Sequence, residues 1–407
     1  MAKLLIIILL FGPLLELYSF PILINNLFLF ILILIGLPLS IINWNFFRIK
    51  IRKTSYLVLY SQFVIWITFV YILMFSNAGI HSYNSMFSFV LSNITIIILL
   101  LNKFDVKFLI GTYCKIALCF SILLIIQFVV YYGMNYSLLL KIPFLSYYDD
   151  NVASVILESG KSIRIASVFS EPSTFCLYVF PAAIIYMIGI QGVIRKNYYL
   201  SSLIILSILL STSGNGITIL FLFGVLYSVD KLTKKWMFIS FVIFIGILYT
   251  VYKIGYLNDI ILNIFIPNEY TGLTKADYRV YRGFLIYNDL PFINQLLGLG
   301  WRNATPFMQE NNIKTIFDFS AGKEIENLEY FNSICQILIY SGIIGLILFL
   351  RYCISIYRNN IKSIKYVVLL ICFLMFSSSL LGSAQWLVYM ILIGSGVVIQ
   401  NRNKCTV

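Results

Sequence analysis

Long blocks of apolar residues follow one another along most of the chain. A helix needs roughly 20 such residues to cross about 30 Å of hydrocarbon. Inside hydrocarbon each block must be helical, because every backbone N–H and C=O has to find its partner within the segment. A spanning β-barrel would instead show short stretches of alternating polarity. The pattern predicts an all-α integral membrane protein of about twelve transmembrane helices, near residues 3–20, 22–42, 56–75, 86–101, 108–132, 171–190, 198–212, 214–229, 236–255, 333–350, 363–381 and 384–399.

Three of these segments have an alternative interpretation. The seventh and eighth helices are separated by the polar residues 211–216, and together they could form one re-entrant hairpin. The first segment follows Lys3 as the apolar part of a signal peptide would. It lacks a small-x-small cleavage pattern and contains Pro13 and Glu16, so we expect it to be retained as a helix.

Two polar stretches, residues 133–170 and 256–331, are too long to be simple connectors. Loops of that length in a compact protein usually have structure or function of their own. We expect the second, between the ninth and tenth helices, to form a small external cap of short helices. The predicted organisation is helices one to nine with one external loop over residues 1–255, a large periplasmic loop over 256–331, and helices ten to twelve over 332–407.

Composition agrees with a membrane protein and disfavours several other classes. Of 407 residues, 60% are hydrophobic and 11% are charged, whereas soluble domains carry about 25% charged residues. The seven cysteines include no C-x-x-C pair and avoid the external loops, which argues against a disulfide framework or a zinc site. A single histidine, His81, without clustered carboxylates argues against a metal centre. No nucleotide-binding glycine loop is present, so we expect no cofactor and no use of ATP.

The formal charge of +13 is distributed by topology. If the N-terminus lies inside, the short inside loops carry the Lys and Arg residues, while the short outside connections at 76–85 and near residues 213 and 382 carry none. This positive-inside pattern predicts a multi-pass protein of the inner (cytoplasmic) membrane with both termini in the cytoplasm. The basic loops are expected to contact anionic membrane lipid. They are too scattered to form a nucleic-acid site.

The first of three polar stretches at predicted outer helix ends runs from Arg164 to Ser173. Ser170 is suited to cap the helix that follows, and Glu171 and Pro172 are suited to its first turn. Helix-start chemistry therefore accounts for these residues, but not for Arg164. A helix N-terminus presents free N–H groups and a positive dipole, and an Arg beside it makes an anion site. The same dipole keeps Glu171 ionised, so this carboxylate is a candidate to position Arg164 or to act as a base.

The second stretch contains Arg279 and Arg282, three residues apart. If residues 276–288 form a helix, both lie on one face, with Asp277 near its start. Paired guanidinium groups suit a phosphate or diphosphate, because each offers a planar fork of donors. The alternative is a solvated helix face on which Asp277 and Asp289 balance the two arginines.

The third stretch begins at Asn332, enters an apolar helix, and contains a Gly-Ile-Ile-Gly sequence. Small residues let transmembrane helices approach each other closely. We therefore interpret Gly342 and Gly345 as helix-packing positions.

These stretches and the topology resemble the bacterial O-antigen polymerase (Wzy) family and the related O-antigen ligase family. Both are polytopic membrane glycosyltransferases with a large periplasmic loop late in the chain. Where the ligases often place a His before the Asn, this sequence has Phe331 before Asn332, which favours the polymerase. The resembling segments are the Arg164 to Pro172 helix entry, the helix with Arg279 and Arg282 followed by Pro291 and Gly298-x-Gly300, and the Asn332 to Gly345 helix entry.

The resemblance implies a metal-independent transfer between lipid-linked sugars. The donor is a glycan on undecaprenyl diphosphate, and the acceptor is the terminal sugar hydroxyl of another lipid-linked repeat unit on the periplasmic face. The product is an O-antigen or a capsule type of polysaccharide. A protein that regulates chain length is a further partner to consider.

The resemblance also implies roles for individual residues. Arg164, Arg279 and Arg282 would converge on one diphosphate and stabilise its charge, and Glu171 or Asp277 would be the base. The aromatic residues would stack on sugar rings, although aromatic side chains at a membrane interface are commonly anchors. The substrate-binding set is Tyr278, Tyr281, Trp301, Arg302 and Asn332.

Three other functions stay open: an O-antigen ligase, a lipid-linked oligosaccharide flippase or other transporter, and a structural partner in an envelope complex. A transporter should carry charges at mid-membrane and show repeated halves. Here the main charges inside predicted helices are Glu16 and Lys115, and the halves show no repeat. A structural partner would leave the outside arginines unexplained.

Overall fold

The computed structural model describes about two thirds of the chain. The helices predicted near 22–42 and 236–255 lie outside the described residues, apart from the single positions 31 and 38. The described residues are 2–16, 18, 31, 38, 55–74, 80–101, 105–134, 165–169, 171–211, 213–231, 275–315, 319–320, 323–324 and 331–405.

The described part of the chain is almost entirely helical, as the apolar blocks predict. A two-stranded antiparallel hairpin, β1 (Phe319–Ser320) with β2 (Lys323–Glu324), is the exception. The helices are α1 (Ala2–Leu15), α2 (Ser55–Leu73), α3 (Ile80–Leu101), α4 (Val106–Met134), α5 (Pro172–Ile188), α6 (Tyr198–Leu210), α7 (Gly214–Lys231), α8 (Lys275–Asp289), α9 (Phe292–Leu297), α10 (Ala304–Glu310), α11 (Ser333–Arg358), α12 (Lys362–Leu374) and α13 (Ala384–Cys405).

Several described helices have the length and apolarity of membrane spans. Five further helices, α1, α3, α5, α6 and α7, contain shorter apolar stretches of 10–17 residues. The described residues therefore indicate an all-helical membrane protein, and the total of twelve spans stays a prediction. The four that are long enough contain Tyr56–Leu73, Val106–Met134, Ser333–Arg358 and Ala384–Asn401.

Several predicted boundaries are wrong by five residues or more. The first helix ends at Leu15 instead of residue 20, two residues after Pro13, whose ring interferes with helix continuation. Helix α11 continues to Arg358 and α13 to Cys405, beyond the apolar stretches that predicted them. Polar residues at these ends extend a helix out of hydrocarbon without changing its backbone.

Helix α12 ends at Leu374, earlier than the predicted residue 381, and the residues that follow it meet the first turn of α11. The N–H of Ser333 donates to the carbonyl of Ser378 at 3.0 Å, and the N–H of Ile334 donates to Met375 at 3.2 Å. The Ser333 hydroxyl also donates to the Ser378 carbonyl, at 2.7 Å. The N–H groups at the start of α11, which have no partner within that helix, thus donate to carbonyls that follow the end of α12.

The helices form two compact units. The first contains α1, α4, α5, α6, α7 and residues 362–370 of α12. Aromatic side chains hold it together: Tyr178 of α5 lies among Tyr113, Phe120 and Phe169, and its hydroxyl donates to the Leu10 carbonyl of α1 at 2.9 Å.

The second unit contains α2, α3, α8, α9, α10, α11, the end of α12, and α13. Its core is an aromatic cluster in which the Tyr60 ring of α2 lies 5.0 Å from that of Tyr352 in α11. The Trp386 indole donates to the Tyr60 hydroxyl at 3.1 Å, and that hydroxyl donates to Asn93. Polar side chains are thus paired across the buried interior of this unit, where an unpaired group would cost stability.

Candidate functional site

Helix α8 confirms the helix predicted over residues 276–288, and one face of it is buried. Tyr281 is 57% exposed, while Arg282 is 1% exposed and Ile286 is fully buried. Gly283 allows this burial, because a Cβ at that position would lie 2.7 Å from the Cys335 sulfur in α11. The solvated-face alternative is therefore wrong for Arg282, which faces the protein.

Arg282 lies beside the start of α11. Its guanidinium carbon is 5.2 Å from the centre of the Phe331 ring, and Phe331 is also buried. A desolvated cation–π pair of this kind is worth up to about 2 kcal/mol. The pair holds a permanent positive charge next to a helix N-terminus, which carries a positive partial charge of its own. The first N–H groups of α11 already donate to Ser378, Met375 and Asn332, so the attraction of this place for an anion rests on the Arg282 charge.

Asn332 fixes the position of α8 against α11. It is the N-cap of α11: its Oδ1 accepts from the Cys335 N–H at 2.9 Å, and its Nδ2 donates to the Val280 carbonyl at 3.3 Å. Its side chain is buried. In this structure the residue bridges two helices, and its direct contact with substrate stays a prediction.

Helix α11 is broken at Gly342, where the backbone adopts φ 65° and ψ −171°. A Cβ there would collide with the Leu296 carbonyl oxygen of α9. At Gly345, a Cβ would meet the Ser341 side chain and lie 3.3 Å from the Trp66 ring of α2. The predicted packing role of both glycines is confirmed, and Gly342 adds a break in the helix that the sequence pattern did not predict.

Donors from outside the helix satisfy the carbonyls before the break. The N–H of Leu299 donates to Ile339 at 2.8 Å, and the N–H of Gly300 donates to Tyr340 at 3.0 Å. The carbonyl of Ser341 accepts from the indole nitrogen of Trp66 at 2.9 Å. Buried carbonyls must be paired, so these contacts make the break stable.

The Gly298-x-Gly300 turn brings the backbone of residues 299–300 within hydrogen-bonding distance of α11. Both glycines have positive φ, 95° and 85°. A Cβ at Gly298 would lie 2.5 Å from the Ser341 nitrogen, and one at Gly300 would lie 3.0 Å from the Tyr71 Cα. The turn is therefore a close-approach element that docks the loop onto α11 and α2.

Trp301, one of the predicted substrate-binding residues, is buried against other protein groups. Its side chain is 2% exposed and stacks on Phe89 with ring centres 4.2 Å apart. Its indole nitrogen donates to the Ser85 hydroxyl at 3.0 Å. Protein groups cover its ring in this structure, so Trp301 anchors the loop to α3, and its stacking on a sugar stays a prediction. The next residue, Arg302, is exposed and has a positive φ of 58°.

In the first unit, Glu171 is the N-cap of α5 and Pro172 is its first residue, so the predicted helix start is confirmed. The predicted cap, Ser170, lies outside the described residues. The Glu171 side chain is exposed and makes no cap hydrogen bond, but its Oε2 accepts from the Ser173 hydroxyl at 2.8 Å. Its role as a base stays a prediction.

Several predicted site residues lie outside what the structure describes. Arg164 is one of them, and Asp277, Tyr278 and Arg279 are described only as backbone positions of α8. The convergence of three arginines on one diphosphate therefore stays a prediction. Within the described ranges, no group of three or more His, Cys, Asp and Glu side chains lies together.

Two contributors to this region were not found from the sequence. Trp66 lies in an apolar helix and is separated by 275 residues from the carbonyl that it binds, so no local signal identifies it. Phe331 was noted only as a departure from a histidine, although an aromatic residue beside a capping Asn is a candidate cation partner. The sequence matches no protein-family model, and no curated protein or solved structure resembles it significantly.

Proposed function

We propose that this protein is a polymerase of lipid-linked oligosaccharide repeat units. It transfers a growing glycan from undecaprenyl diphosphate to the terminal sugar hydroxyl of another lipid-linked unit on the outer face of the cytoplasmic membrane. The acceptor oxygen bonds to the anomeric carbon of the donor, while the bond from that carbon to the diphosphate oxygen breaks. A base takes the hydroxyl proton.

The burial of Arg282 beside the start of α11 is the observation that supports this proposal most. Burying a charge carries a large desolvation penalty, and it persists where the surroundings or a bound counter-charge compensate for it. The Phe331 ring supplies part of this compensation for Arg282, beside its other contacts in the protein. A diphosphate would supply another, since a guanidinium group offers it a planar fork of donors.

The reaction requires few other functions of the protein. The leaving diphosphate already activates the donor, so the protein needs to orient both substrates, stabilise the departing charge and accept a proton. Arg282 serves the second task in this proposal, together with Arg164 and Arg279. Glu171 or Asp277 serves the third.

A polymerase accounts for Phe331 better than a ligase does. In the resemblance that suggested both families, the ligases often carry a histidine at this position. Here the Phe331 ring lies against the Arg282 guanidinium, an interaction that a protonated imidazole would oppose through charge repulsion. The contact gives the phenylalanine a function of its own in the site.

A deletion strain complemented with variants tests the proposal. Without the protein, the long glycan ladder should disappear while a single repeat unit remains on the lipid anchor. Loss of even the first unit would contradict polymerase function and indicate a ligase or a flippase.

Among the complementing variants, Arg282→Lys should fail to restore the ladder although it keeps the charge, because it lacks the planar fork. Arg351→Lys, at an exposed position outside the predicted site, is the matched control and should restore it. Equal membrane levels of both variants with full ladders from both would refute the role of Arg282.

A further inference from the structure

Residues 290–301 form an uncharged segment inside the otherwise polar loop of residues 256–331. The segment has the sequence LPFINQLLGLGW. Charged residues stand directly on both sides of it, Asp289 before and Arg302 after, and both side chains are exposed. The segment contains the whole of α9.

The apolar side chains of α9 point away from the protein. Phe292 is 77% exposed and Ile293 is 62% exposed, and no residue of this helix is buried. Leu296, one turn later, is exposed as well. Adjacent large apolar side chains that are this exposed mark an interaction surface when they form a patch.

The segment is attached to α11 well inside that helix. Leu299 and Gly300 donate their N–H groups to the carbonyls of Ile339 and Tyr340, six and seven residues after the helix begins at Ser333. At ~1.5 Å of rise per residue, these contacts lie about 10 Å along the helix axis from its first residue. Helix α11 is among the helices long and apolar enough to cross a membrane. The end of α9 therefore lies beside the part of α11 whose apolar composition suits hydrocarbon.

The exposed face of α9 is continuous with an exposed apolar stripe on α11. That stripe begins at Ile343. The residue before it, Gly342, packs against α9, because a Cβ placed on Gly342 would collide with the Leu296 carbonyl. Its members recur every three or four residues, the spacing of one helix face. A stripe of this kind on a membrane-spanning helix faces lipid. It consists of Ile343, Ile347, Leu350 and Ile354.

Two polar side chains near the start of the segment form hydrogen bonds within the protein. The side-chain amide of Gln295 folds back and donates to the carbonyls of Asn288 and Leu290, each at 3.0 Å. The Tyr287 hydroxyl donates to the Gln295 carbonyl at 2.9 Å. In water these polar groups could bond to solvent instead, whereas in hydrocarbon they must find partners within the protein.

We propose that residues 290–301 are a re-entrant element whose α9 side chains lie among the acyl chains of the leaflet that holds the start of α11. Asp289 and Arg302 lie at the level of the lipid headgroups and mark where the segment enters and leaves. The long loop is thus partly a membrane element rather than wholly a water-exposed cap. This inference stands whether or not the protein polymerises glycans.

Depth-sensitive spin labelling tests the proposal in the full-length protein. A nitroxide is attached through p-acetylphenylalanine placed at Phe292 or, separately, at Ile293, and the protein is reconstituted in vesicles of phosphatidylethanolamine and phosphatidylglycerol. Both labels should collide more with oxygen than with a water-soluble nickel chelate. A label at the exposed Glu310 of α10 is the control and should show the reverse. Nickel access at 292 and 293 equal to that at 310, or shielding from both reagents, would overturn the proposal.

A second measurement needs no substitution. Vesicles containing a phospholipid with a diazirine in mid-acyl chain are irradiated, and lipid adducts on the wild-type protein are located by mass spectrometry. Adducts are expected on residues 292–296 and on the α11 stripe, and none on residues 304–310. Adducts on the stripe without any on 292–296 would show that α9 is outside the hydrocarbon.

Discussion

Arg282 and Phe331 form a buried cation–π pair, with the guanidinium carbon 5.2 Å from the ring centre. The pair joins α8 to the residue before the N-cap of α11. The pair therefore holds a permanent positive charge in a fixed position beside a helix N-terminus. The proposed function depends on this charge being oriented as well as present.

Replacing Phe331 tests whether the ring orients the charge. Phe331→Leu keeps the apolar volume but removes the aromatic face, so about 0.5–2 kcal/mol of interaction should be lost. If that energy is used in the transition state, glycan elongation should fall by about 2- to 30-fold. Phe331→Tyr retains the face and is the control. Wild-type elongation rates from Phe331→Leu would show that the ring has no such role.

Replacing Gly342 tests the break in α11. Gly342→Ala puts a Cβ at a φ of 65° and into the Leu296 carbonyl, so Tm in detergent should drop, with a strain of about 1–3 kcal/mol. Gly111→Ala in α4 is the control, because a Cβ there meets no atom within 4 Å. It should leave Tm unchanged or raise it, since Ala is the better helix former. Similar Tm changes in both variants would contradict the close docking of α9 on the break.

Replacing Asn332 separates its two hydrogen bonds. Asn332→Asp keeps the acceptor for the Cys335 N–H but loses the donor to Val280, whereas Asn332→Ala loses both. The loss of a cap costs about 0.5–2 kcal/mol, so Tm should fall in the order wild type, Asp, Ala. If Asn332 instead bound substrate and did not join the helices, elongation would fall in both variants while Tm stayed constant.

The predicted orientation is tested with single cysteines in a cysteine-free background. Asn312→Cys lies in the large loop, at an exposed position, and Thr233→Cys lies in a basic loop outside the described residues. An impermeant thiol reagent should label Asn312→Cys in intact spheroplasts and should not label Thr233→Cys. The opposite labelling would reverse the topology and move the proposed site to the cytoplasmic face.

The sequence predicts the helices far better than it predicts how the loop meets them. The helix over 276–288, the glycine packing positions and the Glu171-Pro172 helix start follow from local periodicity and capping chemistry, and the structure confirms them. The break at Gly342 does not follow, because a Gly in an apolar run signals only close packing. The break exists because distant groups, among them the Trp66 indole, pair with the carbonyls before it.

Trp301 shows a second limit of prediction from the sequence. Tyr281 and Trp301 are both aromatic residues in a polar loop, and both were predicted to stack on sugars. One is exposed on α8, and the other is buried on Phe89 because the preceding Gly-x-Gly turn docks the chain into the protein. Tertiary contacts decide which aromatic residue meets solvent, and a single sequence does not contain them.

The most direct test of the account is elongation by the purified protein in vesicles containing lipid-linked repeat units, with a strong chelator present. The account predicts a ladder of longer glycans together with release of undecaprenyl diphosphate, and a loss of roughly 30- to 1000-fold for Arg282→Lys at unchanged Tm. Units that stay at single length with the wild-type protein, or activity that appears only after magnesium or manganese is added, would contradict it.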